Sequence, residues 1–446
     1  MNVAPTRQDA KEQGVETPSS VADQANQIVH LSSIVKRPLL DPGGHRLGRI
    51  VDLIVRLGEG RAHPPVTGMV AKVGRRELFV PIGLVSAIRP GEVRLSGDTL
   101  NLRKFERRPG ELLLAGDLKT HHLINLVGAR LIRAREIEIA CVDGRWEVVG
   151  ADPSTPSLLS WLLARAGSRG ERNDHPNQMV DWASIEPFVS HVPTAHLRIP
   201  FRKLAHLHPA QIADLVEAAS HDEGEEIIEA VREDAELEAD VFEELDSEEQ
   251  LEFLASRPDV EVGLLLAAMA PDNAADLLVN LDQERRLPLL DALPASQRAK
   301  VLALLSYHPE TAGGLMSPDF ACLPEATSAV KVLEELKNSS APPEALTVIY
   351  GHDSEGKVSC AVPVVGLIQA EPGATLGQLS QADPVMIPAD ADIHTIVRKM
   401  ADFNMSVAPV IDSDRHIIGV ITVDDVLEHL LPAGWRRDFG MTSNEQ

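Results

Sequence analysis

The spacing of apolar residues changes along the chain and divides it into segments of different kinds. The N-terminal part alternates short apolar runs with Gly and Pro turns, a pattern that predicts strands at 49–55, 66–73, 77–80 and 93–95. From His208-Pro209 the apolar spacing becomes helical, and from Leu315 to Leu431 strands and helices alternate. We therefore expect a multidomain α+β protein with N-terminal β-barrel modules, an α-helical superhelix and a final α/β part.

The N-terminal strand pattern occurs twice. Gly128–Ile139, after Leu118-Lys119, repeats in weaker form the pattern of Gly44–Val55 after Val35-Lys36. The lysine before a strand, the stretch from Gly44 to Asp52 and the strand end Phe79-Val-Pro81 resemble PRC-barrel domains. This resemblance implies two small β-barrels that act as docking modules.

The helical segment carries a 12-residue repeat in the turns that open its helices. Corresponding turns begin at Leu245, Arg257, Met269, Leu281 and Leu293. Pro, Asp or Ser follows in each turn, where such residues cap a helix or occupy its first turn, and acids there favour the positive helix end. The repeat predicts short stacked helices with carboxylates at their starts.

The last segment contains two related halves, each read as strand, helix, strand, turn, strand and helix. Pro409-Val-Ile-Asp412, followed by Ile418–Leu427, resembles the signature of a CBS domain, so the two halves are similar to a CBS pair. The helical repeat joined to Ala312-Gly-Gly-Leu-Met316 resembles the intracellular N domain of MgtE magnesium transporters running into its CBS pair.

These patterns together give a set of domain boundaries. We expect flexible tails at 1–27 and 434–446, PRC-barrel-like domains at 28–110 and 111–166, a linker at 167–200, an MgtE N-like helical domain at 201–311, and CBS domains at 312–376 and 377–433. A short helix at 157–166 is expected to cover the adjacent barrel, and membrane docking of its amphipathic face is the alternative.

Charge and composition narrow the functional classes. The net charge is −25, and residues 204–336 hold about 30 acids against fewer than ten bases, which argues against a nucleic-acid partner. The longest apolar run, Val262–Ala270, is about half the length of a spanning helix, and no secretory signal precedes it. The three scattered cysteines fit a reducing compartment, so we expect a cytoplasmic protein without a transmembrane segment.

The MgtE resemblance implies a magnesium-sensing role. In that family acidic N and CBS surfaces repel one another, and bound Mg²⁺ bridges them and closes a regulatory dimer. Each matching acid has capping or solvation as its alternative role, and Asn404 stands where an acid is expected. The resemblance assigns metal binding to Asp240, Asp272, Asp276, Asp392, Asp425 and Glu428.

The CBS resemblance also implies an adenine-nucleotide site, with ATP or a related nucleotide as a second ligand. Thr422 and Asp425 keep the spacing of a hydroxyl for phosphate and a carboxylate for ribose, whereas the first half has Pro363 and Gly366 there. Capping of the helix by Thr422 is the alternative.

These observations predict a regulatory protein and not an enzyme, because no nucleophile elbow, phosphate loop or catalytic acid pair is present. We expect a magnesium-responsive sensor that forms a homodimer through its CBS pairs. Two alternatives stay open, an adenine-nucleotide sensor and a component of magnesium transport. The barrel modules leave open a separate membrane protein as partner and a peripheral position at the inner membrane face.

Overall fold

The computed structural model describes residues 27–57, 61–97, 104–119, 121–153, 179–188, 201–339 and 341–431. The chain divides into two compact units, Met1–Leu207 with Ala218–Ala230, and His208–Glu217 with Val231–Gln446. The helix expected at 157–166 and the C-terminal tail at 434–446 lie outside the described residues, as do all but one residue of the N-terminal tail.

The first unit contains a seven-stranded sheet. Its strands are β2 (Pro38–Leu40), β3 (Arg46–Arg56), β4 (Val66–Val73), β5 (Arg76–Pro81), β6 (Val85–Arg89), β7 (Glu92–Leu95) and β8 (Glu111–Leu113). In this sheet β5, β4, β3, β2, β7 and β6 are neighbours in that order, and β8 pairs with β3. From Leu78 onward β5 alternates buried and partly buried residues, whereas β4 buries the whole run from Gly68 to Ala71.

Two smaller sheets complete this unit. Their strands are β1 (Ile28–His30), β9 (His122–Asn125), β10 (Arg130–Arg133), β11 (Glu136–Val142), β12 (Arg145–Asp152), β13 (Val180–Asp181) and β14 (Ile185–Pro187). The orders of the two sheets are β1-β11-β12-β13 and β10-β9-β14. The hairpin of β11 and β12 turns at Asp143-Gly144, both with positive φ, as the sequence predicts.

Strand pairing crosses the expected domain boundaries. β1 belongs to the expected first module but pairs with β11, β8 belongs to the second but pairs with β3, and β13 and β14 lie in the expected linker. Both modules bury their side chains in one continuous apolar core. Over the described residues the strand paths have free ends, so no closed barrel forms there, and the PRC-barrel resemblance stays a prediction.

Five helices of the helical segment begin at 247, 259, 271, 283 and 295, as the repeat predicts, and a sixth at 235 extends the same twelve-residue spacing. Each packs against the helix two places along the chain, because alternate helices lie on the same side of the stack. The helices are α1 (Phe201–Leu204), α2 (Pro209–Ala218), α3 (His221–Val231), α4 (Ala235–Glu243), α5 (Ser247–Ala255), α6 (Asp259–Ala268), α7 (Pro271–Asn280), α8 (Gln283–Ala292), α9 (Ala295–Leu304) and α10 (Ala312–Leu315).

The last segment has two halves of the same topology. In each, a short strand pairs in parallel with a second strand, which pairs antiparallel with a third. The first half contains β15 (Cys322–Pro324), α11 (Ala329–Leu336), β16 (Val348–His352), β17 (Val358–Pro363), α12 (Val364–Gln369) and α13 (Leu376–Leu379). The second contains β18 (Ile387–Pro388), α14 (Ile393–Asp402), β19 (Val407–Ile411), β20 (Ile417–Thr422) and α15 (Val423–Leu430).

The Ala312–Met316 stretch joins the helical stack to the second half. The amides of Ala312 and Gly313 donate to the carbonyls of Ala391 and Ala389 at 2.9 and 2.8 Å. A Cβ added to Gly314 would lie 2.4 Å from the carbonyl oxygen of His308, so only glycine fits here. This close packing explains why the stretch contains consecutive glycines.

Candidate functional site

An acidic cavity lies where α7 meets α15, within the second unit. Its volume is about 250 Å³, and it is open to solvent on one side. Both α7 and α15 present carboxylates to it, and amide and hydroxyl groups complete the wall. Its polar lining residues are Glu243, Ser247, Gln250, Asp272, Asn273, Asp276, Asn280, Asp425, Glu428 and His429.

The repeat places two of these carboxylates. Pro271 occupies the first position of α7, where its missing N–H costs no hydrogen bond, and Asp272 follows in the first turn. Asp276 lies four residues further on, one helical turn along the same face. Both side chains line the cavity, as the spacing predicted.

Asp272 is the most perturbed acid of the cavity. Its Oδ1 atom is buried and accepts no hydrogen bond from the described residues. Burial, and then the negative charge of Asp425, raise the pKa of Asp272 from 3.8 to about 7. The site therefore holds a carboxylate oxygen that lacks a donor and faces a second carboxylate.

Asp425 has a local structural role as well as a place in the cavity. Its carboxylate accepts the backbone N–H of Thr422 at 2.8 Å, and the Thr422 hydroxyl accepts the N–H of Asp425 at 3.3 Å. This reciprocal capping box starts α15. Burial is the main cause of the raised pKa of Asp425, against the lowering effect of Thr422.

The last turns of α15 add charge of both signs to the rim. Glu428 and His429 both line the cavity. Burial raises the pKa of Asp276, and the opposing influence is the charge of His429. A protonated His429 would therefore partly neutralise the acids beside Asp276.

Two of the six predicted metal residues lie outside this cavity. Asp392 is exposed and caps α14 by accepting the N–H of Thr395 at 2.8 Å, and hydrogen bonding to Thr395 lowers its pKa. Asp240 lies on α4, where burial and then the charges of Glu236 and Asp234 raise its pKa. The structure thus brings together Asp272, Asp276, Asp425 and Glu428 and separates Asp240 and Asp392 from them.

Sequence reasoning missed six polar residues of the cavity: Glu243, Ser247, Gln250, Asn273, Asn280 and His429. The position of Glu243 in the repeat is the signal that could have identified it. In the structure its carboxylate accepts the N–H of Ala270 at 2.6 Å, just before α7. Glu217 accepts the N–H of Asp246 at 2.9 Å before α5 in the same way. Each of these acids lies at the C-terminal end of one helix and caps the start of the third helix that follows it along the chain.

The spacing of ligand atoms constrains any bound metal. Among the described residues, the one group of three potential ligand atoms within 4.8 Å of one another is Asp412, Asp414 and His416. There Asp412 accepts the N–H groups of Asp414 and His416 at 2.9 and 2.8 Å, which explains the cluster as a hairpin turn. No three ligand atoms of the described cavity residues lie this close to one another, so an ion there would keep water in its coordination shell.

A second cavity, of about 290 Å³, lies between the two halves of the last segment. Pro363, Asn404, Ser406 and Thr347 line it together with apolar side chains such as that of Tyr350. Asn404 has a positive φ of 51°, which Asn tolerates better than most residues. The predicted nucleotide residues Thr422 and Asp425 are not part of its lining, and Asp425 belongs to the acidic cavity instead.

Comparisons with known proteins match these domains. Residues 207–310 match the family model of the MgtE intracellular N domain, and residues 376–432 match that of the CBS domain. The magnesium transporter MgtE of Thermus thermophilus is 32% identical over 195 residues, 43% of this chain and 43% of that protein. The Bacillus subtilis MgtE is 24% identical over 189 residues, 42% of each chain. The chain therefore spans less than half the length of these relatives.

Solved structures give similar matches. The crystal structure of the cytosolic domain of the Mg²⁺ channel MgtE in complex with ATP has 28% identity and a TM-score of 0.49, over 52% of this chain and 93% of that one. The soluble part of a magnesium transporter has 21% identity and a TM-score of 0.47, over 51% and 90%. In the described part of this chain, each helix is too short or too polar to cross a bilayer.

The matched families are regulatory domains and not enzyme families. The matched ranges coincide with the helical stack and with the second of the two halves that share a topology. Accordingly, the chain carries an MgtE intracellular N domain followed by a CBS domain.

Proposed function

We propose that the acidic cavity binds Mg²⁺ and that the protein is a magnesium-responsive regulatory module. The observation that carries this proposal is the buried Oδ1 of Asp272, which has no hydrogen-bond donor among the described residues and faces the charge of Asp425. A buried unpaired charge is costly, and a cation between the two carboxylates removes that cost.

The donor set favours a hard cation. The acids Asp272, Asp276, Asp425 and Glu428 offer carboxylate oxygens, and the neighbouring amides offer further oxygen ligands. Mg²⁺ dehydrates reluctantly and is usually held by one or two carboxylates and several waters. The described cavity residues form no tight cluster of three ligand atoms, and the cavity has a volume of about 250 Å³; both features suit such a hydrated ion.

The response to magnesium follows from the position of the cavity between the helical stack and the second half. Without a cation, the acids of α7 and α15 repel one another, because the charge of Asp425 adds to the larger effect of burial in raising the pKa of Asp272. With a cation bound, attraction replaces repulsion and this contact closes. Asp240 and Asp392 do not line the cavity, although the charge of Asp240 acts on Glu243 in its wall.

The relatives suggest the cellular process in which this response to Mg²⁺ takes part. Proteins named magnesium transporter MgtE match this chain over less than half of their length. We propose that the chain is a cytoplasmic regulatory component of magnesium transport, attached at the inner membrane face through its N-terminal modules to a separate membrane protein. Such attachment would let the cation-dependent closure at the acidic cavity change the state of a pore in that membrane protein.

We further propose that the protein is a homodimer formed through the last segment. Helices α12 and α15 expose apolar side chains that the described residues leave uncovered: Val365 and Ile368 are 58% and 65% exposed, and Leu427 and Leu430 are 50% and 47% exposed. Apolar faces of this kind are typical of an interface with another chain. A second copy would cover the same face on both partners.

Adenine-nucleotide sensing is the second candidate function. The cavity between the two halves supports it, because about 290 Å³ of mostly apolar space with a few polar groups is typical of small-molecule sites. Titration with ATP, ADP and AMP tests this function. Loss of binding in Asn404→Leu, with Thr422→Val unaffected, would place a nucleotide in this cavity and not beside Thr422.

Small-angle scattering tests the magnesium proposal. The wild-type protein should become more compact in millimolar Mg²⁺ at matched ionic strength, and Asp272→Asn/Asp276→Asn should not respond. Asp282→Asn is the matched control, because Asp282 is an exposed acid at the start of the next helix and makes no capping hydrogen bond there. Equal compaction in all three proteins, or none in the wild type, contradicts the proposal.

A further inference from the structure

One end of the seven-stranded sheet concentrates positive charge. The end of β4 lies between the starts of β3 and β5, and the residues that precede β2 approach the same place. Seven basic residues converge there, of which Lys72 is partly buried and the others are exposed, and we call this set the basic strand end. It comprises Lys36, Arg37, Arg46, Arg49, Lys72, Arg75 and Arg76.

Strand register brings like charges together at this end. Arg49 pairs directly with Lys72 across β3 and β4, so the two side chains stand on the same face. Directly opposed like charges destabilise an antiparallel pair. Gly48 permits this close approach, since a Cβ there would lie 2.4 Å from the carbonyl oxygen of Lys72. The fold thus holds two cations side by side.

Few acids offset these charges. Among the described residues, Lys36, Arg37, Arg49, Lys72, Arg75 and Arg76 form no ion pair. Some other arginines of the same unit are paired: Arg107 contacts Asp117 at 3.1 Å and Arg94 contacts Glu92 at 3.3 Å. Unpaired cations in one place are the electrostatic complement of an anionic surface.

We propose that the basic strand end docks on the surface of a bilayer rich in anionic phospholipid. Its cations lie on neighbouring strand ends and in one hairpin turn. Two acids stand among them: Glu77, which faces Lys72, and Asp41, which binds His45 in the turn before Arg46. An acidic protein surface also carries basic groups, so it would fit a patch in which acids and bases alternate. A surface of anionic lipid presents negative charge alone. Each Lys or Arg near such a surface strengthens binding about fivefold.

The strong negative charge of the rest of the chain does not oppose this contact at a distance. Charges in solution are screened over about 8 Å at physiological ionic strength, so only groups close to the bilayer contribute. Leu40 and Leu47, both partly exposed beside the cations, add limited apolar contact. This docking does not depend on the proposed cation site, and it gives the N-terminal unit a function of its own.

Flotation of the full-length protein with lipid vesicles tests the proposal. The wild type should bind vesicles containing one-third phosphatidylglycerol, should not bind pure phosphatidylcholine vesicles, and should be released at about 1 M NaCl, where the screening length is about 3 Å. Arg75→Glu/Arg76→Glu changes exposed residues at the hairpin turn and should weaken binding at least about 25-fold.

Arg130→Glu/Arg133→Glu is the matched control, because these exposed arginines of β10 lie in another sheet and the change in net charge is the same. It should bind almost like the wild type, with circular dichroism confirming that both variants fold. Equal loss in both variants, equal binding to neutral and anionic vesicles, or capture of poly-glutamate beads without any vesicle binding would overturn the proposal.

Discussion

Replacing Asp272 with Asn should stabilise the metal-free protein at alkaline pH. The pKa of this buried acid is raised from 3.8 to about 7, so between these values the folded chain keeps a proton that the unfolded chain has released. Stability therefore falls as the pH rises from about 4 to about 7 and then levels off. At 1.36 kcal/mol for each pKa unit, the ionised carboxylate costs at most about 4 kcal/mol above pH 7.

The Asn side chain keeps the shape of Asp272 and removes its charge. We expect the variant to exceed the wild type in unfolding free energy by up to about 4 kcal/mol at pH 8, and by much less at pH 5. Urea unfolding followed by circular dichroism suits this measurement, because most helices belong to the second unit. Asp282→Asn, the exposed control, should change stability by less than about 0.5 kcal/mol.

Added Mg²⁺ should make the wild type more stable than Asp272→Asn at pH 8. The wild type should gain stability as Mg²⁺ is added, since an ion that binds only the folded state stabilises it by mass action. Asp272→Asn should gain little. A variant that is less stable than the wild type at pH 8 without metal, or a gain that is the same at pH 5 and pH 8, would refute this reasoning.

Three further changes test other parts of the structure. Asp52→Ala should destabilise the first unit by about 3 kcal/mol in thermal unfolding, because the buried Asp52 carboxylate accepts the N–H groups of Leu53, Ala115 and Gly116 at 2.7, 2.9 and 2.9 Å; a change below about 1 kcal/mol would contradict this. Gly314→Ala should lower the unfolding midpoint, since its Cβ would clash with the backbone at His308; an unchanged midpoint would show that the turn relaxes. Leu427→Glu should shift the sedimentation of a dimer towards that of a monomer, whereas an unchanged dimer would place the interface elsewhere.

Local signals in the sequence predicted the helical stack and part of the cavity. Helix starts are set by residues within one turn, such as Pro271 and the acid that follows it, so the 12-residue spacing could be read directly. The four-residue interval placed Asp272 and Asp276 on one face. The capping box of Thr422 and Asp425 was likewise visible from their spacing.

The long-range pairing of strands could not be predicted from local sequence signals. β1 pairs with β11, more than a hundred residues away, and no local pattern specifies which edge a three-residue strand joins. The contribution of His429 to the cavity depends on how α15 meets α7, which the sequence spacing does not define. The buried position of the Asp272 Oδ1 atom, which no donor among the described residues reaches, is equally a property of packing.

The most direct test of the central claim is a calorimetric titration of the metal-free protein with Mg²⁺ at pH 8. We predict saturable binding in the wild type and in Asp282→Asn, and loss of at least one ion per chain in Asp272→Asn/Asp276→Asn. Binding of the same number of ions with the same affinity in all three proteins would contradict a magnesium site in the acidic cavity.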